Sequence, residues 1–310
     1  MMIRHSRVEE GSARGSRAID IRVWDGIDLR ILPDRGFDIG PAWYRGAPLA
    51  WVSQVGETGP LDDPRDFDWA LAFGGGLMVT CGLRNVGMPS EGHGLHGTFS
   101  HLPAAGVAVS RLVSEEGSHV LAEAVIEDVG NDHHLRVERS IRTHVSKGVV
   151  EVTDSTTNLG TTPVEAPILY HFNLGYPLWS EGARVRIDAS ETIARDEPSR
   201  ASLGSWAEPP PVHQSEERVL EHRVVPHGGW GSAGLVNEAM GIEVSIRWRL
   251  AELPRLHQWV NPSPGMCVLG LEPANCSTSG RAHDRASGEL PYLQPGENRE
   301  TSLVVEARFP

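Results

Sequence analysis

The strongest constraint on the fold of this chain is an alternation of apolar and polar residues with period two. The clearest example runs over residues 19–31, where Ile, Val and Leu alternate with charged residues on both sides of Asp25-Gly26. An Asp-Gly pair between two alternating segments is typical of a β-hairpin with a two-residue turn. The pattern also predicts that one face of each strand is buried and the other solvated.

The same alternation recurs along the rest of the chain. Residues 135–145 alternate, Lys147-Gly148 supplies a turn, and a new strand begins near Val150, which predicts a second hairpin. Further alternating segments are residues 185–188, 242–250 and 303–309. No window places apolar residues at i, i+3, i+4 and i+7 over three turns. The predicted fold class is therefore all-β.

Strands whose two faces differ this clearly favour antiparallel sheets, because a parallel sheet buried on both faces would show continuous Val, Ile and Leu runs. Two such sheets packed face to face form a large antiparallel β-sandwich. Strand-like segments continue from residue 17 to the C-terminus, so we expect one domain over residues 1–310, with residues 1–16 as an edge or poorly ordered segment. Residues 209–211, three prolines, are the best boundary candidate, although the Ser, Glu and His residues around them favour an excursion loop.

Charge and composition exclude several classes of partner. The chain has 28 basic and 41 acidic residues, a formal net charge of −13, whereas nucleic-acid-binding domains usually carry a basic stripe. No window approaches the run of about 18 apolar residues that a membrane helix needs, and residues 1–6 lack the apolar core of a signal peptide. The three cysteines form no C-x-x-C pair, which argues against a disulfide framework or a thiolate zinc site. We expect a soluble cytoplasmic protein.

Three segments place polar groups among Gly, Pro and apolar residues, and they are the candidates for chemistry. They are residues 74–97, 166–175 and 268–275. Glu272 lies in an apolar run just before a proline, where burial would require a partner or a shifted pKa. His171 interrupts an apolar stretch in the same way. Each also has a structural interpretation, namely a glutamate paired with an arginine and a histidine that is hydrogen-bonded in the core.

The remaining polar residues of the first segment are less specific. Arg84 follows a glycine-rich turn and could simply point to solvent. His93, His96 and His101 raise the question of a metal, but the H-G-L-H spacing does not put two rings on one face of a strand, so we do not predict a metal site. The glycines at 74–76 are not a phosphate loop, because no Gly-Lys-Ser/Thr follows them.

Taken in chain order, these segments resemble the aldose 1-epimerase (galactose mutarotase-like) superfamily. The resemblance rests on an arginine after a glycine turn, then Leu-His-Gly at 95–97, His-Phe-Asn-Leu-Gly at 171–175 and Leu-Glu-Pro-Ala-Asn at 271–275. Two segments are similar to sequences of a bacterial branch of that superfamily labelled DUF4432. They are Cys-Gly-Leu-Arg-Asn-Val-Gly at 81–87 and Gln-Trp-Val-Asn-Pro at 258–262. The resemblance covers about residues 17–309 and implies the large β-sandwich of the superfamily.

The resemblance also implies a reaction, the interconversion of sugar anomers without a metal or an organic cofactor. Glu272 would be the general base and His171 the general acid, and Arg84 and His96 would hold the sugar. Asn85 and Asn173 are suitable types of residue to bind sugar hydroxyls. Trp259 could offer an apolar face to the pyranose ring. We expect an ionised glutamate, near its reference pKa of about 4.3, that raises the pKa of the histidine above about 6.5.

Two alternatives remain open at this point. The chain could be a carbohydrate-binding or regulatory sandwich without turnover, since fold does not fix function, or an acid–base isomerase or lyase acting on a modified sugar. A glycoside hydrolase is less favoured, because it needs two carboxylates and only Glu272 has a suitable context. An epimerase requires Glu272, His171, Arg84 and His96 to converge on one concave face of the sandwich.

Overall fold

The computed structural model describes residues 1–115, 117–211 and 217–309, and strands dominate it. In chain order the strands are β1 (Met2–Arg7), β2 (Arg17–Arg22), β3 (Ile27–Leu32), β4 (Asp38–Tyr44), β5 (Ala47–Pro48), β6 (Met78–Gly82), β7 (Ala105–Ser114), β8 (Gly117–Val129), β9 (His134–His144), β10 (Val149–Asn158), β11 (Val164–Glu165), β12 (Ile168–Gly175), β13 (Ala183–Ile187), β14 (Ala189–Ala194), β15 (Arg218–Val224), β16 (Trp230–Asn237), β17 (Ile242–Arg249), β18 (Arg255–Asn261), β19 (Val268–Ala274), β20 (Tyr292–Leu293) and β21 (Asn298–Arg308). The helices are short: α1 (Asp68–Leu71), α2 (Glu197–Arg200) and α3 (Arg281–Ser287), with a 3-10 turn at Phe99–His101. The prediction of an all-β fold is confirmed.

Two large antiparallel sheets face each other. Within the described residues, one has eleven strands in the order β1-β2-β3-β4-β6-β12-β19-β18-β15-β14, with β5 beside β4. The other has eight, in the order β13-β16-β17-β21-β10-β9-β8-β7, and β11 and β20 form a separate two-stranded ribbon. A single apolar core joins the sheets, with Leu29 and Phe172 from the larger one and Val137 and Val305 from the smaller one. The predicted antiparallel sandwich is therefore confirmed.

The central strands of the larger sheet are buried on both faces. Every residue of β6, β12 and β19 is buried. Tyr170 and Phe172 face the core between the sheets, whereas Leu169 belongs to a second apolar cluster with Trp69 and Phe73. Because side chains alternate along a strand, this second cluster covers the outer face, and His171 lies on that face. The continuous apolar runs of β12 and β19 thus arise in an antiparallel sheet whose outer face is covered by loops.

A buried ionic network fixes β12 from the core side. Arg139 of β9 donates hydrogen bonds to Asp154 at 2.6 and 2.8 Å and to Asp38 of β4 at 2.7 Å. The Tyr170 hydroxyl donates to Asp154 at 2.6 Å. These side chains are almost fully buried, so the network ties the two sheets together through one guanidinium that is hydrogen-bonded to two carboxylates. It also positions Tyr170, the neighbour of His171.

The predicted hairpins form, with one correction. Thr143 pairs with Val150 in the β9–β10 hairpin, as predicted. In the β2–β3 hairpin Ile21 pairs with Leu29, but residues 23–26 connect the strands. The two-residue turn at Asp25-Gly26 was therefore wrong. The Asp25 amide donates instead to the carbonyl of Val145 at 2.8 Å, which docks this loop against the other sheet.

The other predicted segments fall where the pattern placed them. Residues 185–188, 242–250 and 303–309 overlap β13, β17 and β21. Residues 2–7 form β1 at the edge of the larger sheet. The prolines at 209–211 lie in the connection between α2 and β15, and residues 212–216 beside them are outside the described part of the chain. Among the described residues, no helix has both the length and the apolar character needed to cross a membrane.

Candidate active site

A pocket of about 430 Å³ opens on the outer face of the larger sheet. His171 and Glu272 lie in it, together with His96 from the loop after β6. Its aromatic lining comprises Trp51, Phe67, Trp69, Phe73 and Trp259. Buried titratable groups inside an apolar pocket of this volume are typical of a small-molecule site.

The strand register brings the two candidate catalytic residues together. Leu169 pairs with Ala274, and Phe172 pairs with Leu271, across β12 and β19. The same register places His171 opposite Glu272. Directly opposite residues of an antiparallel pair project to the same face with neighbouring side chains. Residues from two distant motifs therefore meet because the two strands are adjacent at the centre of the sheet.

His171 and Glu272 are in close contact and almost fully buried. The distance between His171 Nε2 and Glu272 Oε1 is 3.1 Å, and the exposed fractions of the side chains are 5% and 3%. The contact is not aligned as a hydrogen bond, and within the described residues neither Glu272 Oε1 nor His171 Nδ1 has a hydrogen-bond partner. A buried polar atom without a partner is costly. The described part of the protein thus leaves these two polar atoms without a hydrogen-bond partner.

Burial shifts both groups of this pair towards their neutral forms. Desolvation raises the pKa of Glu272 to about 8, with a further rise from the charge of Glu217 and an opposing effect of Arg195. Desolvation also lowers the pKa of His171 well below its usual range, with a smaller contribution from His96. The expected ionised glutamate and raised histidine pKa are not what the structure favours, because loss of hydration is the largest effect on the pKa of each group. At neutral pH the pair therefore holds one titratable proton, mainly on the Glu272 carboxyl group, beside a neutral His171 ring.

His96 is fixed by its backbone and by an aromatic neighbour. It has a positive φ of 57°, and its ring centroid lies 4.6 Å from that of Trp69. The Gly87 amide donates a long hydrogen bond of 3.4 Å to His96 Nδ1. Burial lowers the pKa of His96 to about 3, so the neutral ring presents Nε2–H as a donor.

Arg195 and Glu217 form a charged edge of the pocket that the sequence did not reveal. Arg195 donates to Glu217 Oε1 at 2.9 Å and to Asp196 Oδ2 at 2.8 Å. Trp259 Nε1 donates to the other oxygen of Glu217 at 3.1 Å. Glu217 therefore holds the guanidinium and the indole in fixed positions. Neither Arg195 nor Glu217 lies in a recognisable motif, and only the pairing of β14, β15 and β18 brings them to Trp259.

The structure places Arg84 and Asn85 outside this pocket. The Arg84 side chain points towards Asp132, with 3.6 Å between Nη2 and Oδ2, and towards Glu165, with 3.8 Å between Nη1 and Oε2. Asn85 is fully buried, and its amide donates to the carbonyls of Met88 and Gly94. The chain turns after β6, and the Asn85 side chain braces the loop that carries His96. The predicted convergence therefore holds for Glu272, His171 and His96, and does not include Arg84.

The three histidines that raised the question of a metal are directed to different places. His96 lines the pocket, His93 Nε2 contacts Arg281 at 2.8 Å, and His101 Nδ1 accepts from the amide of Leu61 at 3.1 Å. Among the described residues, no group of three His, Cys, Asp or Glu side chains is arranged to hold a metal ion.

The fold is a galactose mutarotase-like β-sandwich, as its similarity to solved structures shows. The chain belongs to the DUF4432 family, described as a domain of unknown function, whose model matches residues 13–307. No curated protein matches the chain. A "putative aldose 1-epimerase" from Klebsiella pneumoniae has a similar structure, with a TM-score of 0.91 and 24% identity over 98% of this chain and 83% of that one. A galactose mutarotase-like protein from Clostridium acetobutylicum has a TM-score of 0.70 and 14% identity over 100% and 99% of the two chains. At these identities the structures establish the shared fold.

Proposed function

We propose that this protein is an aldose 1-epimerase-type isomerase that interconverts the anomers of a sugar by opening and closing its ring. The observation that best supports this is the 3.1 Å contact between His171 Nε2 and Glu272 Oε1 inside an aromatic pocket. Ring opening removes a proton from O1 and adds one to the ring oxygen O5. Both oxygens are bonded to C1, so the acid and the base must be side by side.

The reaction balances with these two groups alone. Glu272 takes the O1 proton, the C1–O1 bond becomes a carbonyl, and the C1–O5 bond breaks with its electron pair going to O5. His171 donates its proton to O5. Rotation about C1–C2 then exposes the other face of the carbonyl, and the reverse steps close the ring as the opposite anomer. Each positioned proton transfer contributes about 10² to 10⁴ in rate.

The raised pKa of Glu272 and the lowered pKa of His171 determine where the one titratable proton of the pair lies before the reaction. With the proton on Glu272, rotation of the two side chains into hydrogen-bond alignment across the 3.1 Å contact lets one transfer produce the ionised glutamate and the imidazolium that begin ring opening. Ring opening itself returns Glu272 to its protonated form and His171 to its neutral form. The arrangement that burial favours is therefore the one present when the sugar is open, so desolvation favours ring opening, the step that neutralises the charged pair.

The remaining lining fits a neutral sugar. Trp259 and Trp69 offer apolar faces for the C–H groups of a pyranose, and His96, Arg195 and Glu217 offer donors and acceptors for its hydroxyls. We also propose that residues 1–310 act as one cytoplasmic β-sandwich domain. The shared core of the two sheets supports one domain, and three free cysteines fit a reducing compartment.

The decisive experiment is proton saturation-transfer NMR between the α- and β-anomers of a panel of free aldoses, with and without the protein. We expect the protein to accelerate exchange for at least one sugar in proportion to its concentration. Binding without acceleration would instead support a carbohydrate-binding sandwich. Consumption of an oxidised sugar with a new product would support the lyase or isomerase alternative.

A further inference from the structure

The surroundings of His171 limit what the substrate can carry beside its ring oxygen. If His171 protonates O5, then C5 and its substituent lie next to the His171 ring, because C6 is only two bonds from O5. The ring centroids of Phe73 and Trp259 are each 5.4 Å from that of His171, and the centroid of Trp69 is 6.5 Å away. Three aromatic rings therefore border His171, next to which the C5 substituent would lie.

The polar groups of the side chains that contact the His171 ring are largely engaged in other interactions. Glu272 serves O1 in the proposed reaction, and Trp259 donates its only N–H to Glu217 at 3.1 Å. His96, whose ring centroid is 6.0 Å from that of His171, has Nδ1 engaged by Gly87 and keeps one donor. A hydroxyl at C6 needs both a donor and an acceptor when it leaves water. A methyl group needs neither.

The charges of the pocket also exclude an acidic C5 substituent. Arg195 is the one cationic side chain among the described lining residues. Asp196 and Glu217 already accept its hydrogen bonds at 2.8 and 2.9 Å. A carboxylate or phosphate on C6 would therefore enter a pocket without an uncompensated positive charge, which is unfavourable for a desolvated anion.

Apolar side chains also lie at the mouth of the pocket, next to the exposed Gln54. Phe67, Val55 and Met88 line it and are 55%, 47% and 42% exposed, respectively. Exposed apolar side chains gathered at one opening are typical of a site for an apolar group. The mouth thus offers apolar contacts to one end of a sugar.

On the basis of the function proposed above, we infer that the substrates are neutral 6-deoxyhexoses, in which C5 carries a methyl group. The methyl group packs against Phe73 and Trp69 beside His171. The hydroxyls at C2, C3 and C4 face the polar edge formed by Arg195 and Glu217.

The test compares each of three hexoses with its 6-deoxy derivative: D-galactose with D-fucose, D-glucose with D-quinovose, and L-mannose with L-rhamnose. For the stereochemistry that the pocket accepts, we expect kcat/KM for anomerisation to be about 10- to 100-fold higher with the 6-deoxy sugar. Binding measured by tryptophan fluorescence should favour the same sugar. Equal or higher kcat/KM for the hexose in every accelerated pair would overturn the inference and leave the proposed function intact.

The binding measurement separates the inference from the reaction. Tighter binding of a 6-deoxy sugar without accelerated anomerisation would support the substrate class while contradicting the epimerase. If none of the six sugars binds or is anomerised, the inference is wrong. As a second arm, Phe73→Asn places an amide beside His171, whereas Phe73→Leu keeps the site apolar. We expect the 6-deoxy preference to fall at least about fivefold in Phe73→Asn relative to Phe73→Leu, and an equal preference in these two variants would contradict the placement of the methyl group.

Discussion

Gly270 provides the space that the Glu272 carboxylate occupies. The two residues lie on the same face of β19, and a Cβ atom at Gly270 would lie 2.6 Å from Glu272 Oε1. It would also lie 3.0 Å from His171 Cε1 and 3.1 Å from Trp259 Cβ. The backbone of Gly270 does not have a positive φ, so the requirement for glycine here is steric.

Gly270→Ala should therefore impair catalysis by displacing the Glu272 carboxylate. We expect kcat/KM to fall at least about tenfold, because a shift of about 1 Å in a reacting group can cost about 10²-fold. Saturation-transfer NMR measures the rate, and thermal unfolding reports any loss of stability. Gly204→Ala is the matched control, since a Cβ there meets nothing within 4 Å. An unchanged rate in Gly270→Ala would mean that the carboxylate position is unimportant.

Glu272→Gln and His171→Asn test the acid–base pair directly. Glutamine keeps the size of the side chain but cannot accept the O1 proton, and asparagine cannot protonate O5. We expect the rate of anomerisation to fall by about 10² or more in each variant while sugar binding largely persists. Glu221→Gln is the control, because Glu221 lies in the same cross-strand row two strands away and pairs with Arg255. Wild-type turnover in Glu272→Gln would remove this residue from the mechanism.

The strands, and the two buried polar residues Glu272 and His171 of the pocket, were predictable from sequence for a physical reason. Alternation records which face of a strand is buried, and it located β9, β10 and β17. Glu272 and His171 stand out because a charged or polar group inside an apolar run needs a specific purpose. Their juxtaposition follows from strand order, which period-two patterns do not encode.

The walls of the pocket could not be predicted in this way. Trp69 and Phe73 come from the segment around the four-residue helix α1, too short for a helical period to be visible. Arg195 and Glu217 look like ordinary surface charges until the edge strands β14 and β15 are placed. Arg84 was assigned to the sugar because of its motif, but a motif fixes the path of the backbone and not the direction of a long side chain.

The pH dependence of the reaction should reflect a pair that shares one proton. Below the lowered pKa of His171 the pair holds two protons, and above about 8, the pKa of Glu272, it holds none. We expect kcat/KM to be nearly constant from below pH 6.5 to about pH 8 and to fall above it. Removing the Glu217 charge lowers the pKa of Glu272, so Glu217→Gln should move the alkaline limb to lower pH. A profile with its only change near pH 4.5 would contradict a buried, protonated Glu272.

The stability of the protein should depend on pH through the same carboxyl group. The pKa of Glu272 is about 8 in the folded protein, against a reference value of 4.5. Between these values the folded state binds the extra proton, so this group makes stability fall as pH rises, by at most about 1.4 kcal/mol per pH unit. Glu272→Gln lacks this dependence. Urea unfolding at pH 5, 6, 7 and 8 should show the free energy of unfolding of the variant rising relative to that of wild type, and a constant difference would disprove the raised pKa.

Arg84→Ala and Arg195→Ala should affect different properties, the first the stability of the protein and the second its binding of sugar. The Arg84 side chain is 9% exposed and lies near Asp132 and Glu165, so loss of its packing should lower the free energy of unfolding by about 0.5–3 kcal/mol and leave the Kd for sugar nearly unchanged. Arg195 lines the pocket and its charge lowers the pKa of Glu272. Arg195→Ala should therefore raise the Kd about tenfold, as expected for one lost hydrogen bond to a charged group, and shift the alkaline limb of the pH profile upwards. Tryptophan fluorescence and urea unfolding measure the two effects. A larger rise in Kd for Arg84→Ala than for Arg195→Ala would restore the role in sugar binding that the sequence motif gives to Arg84.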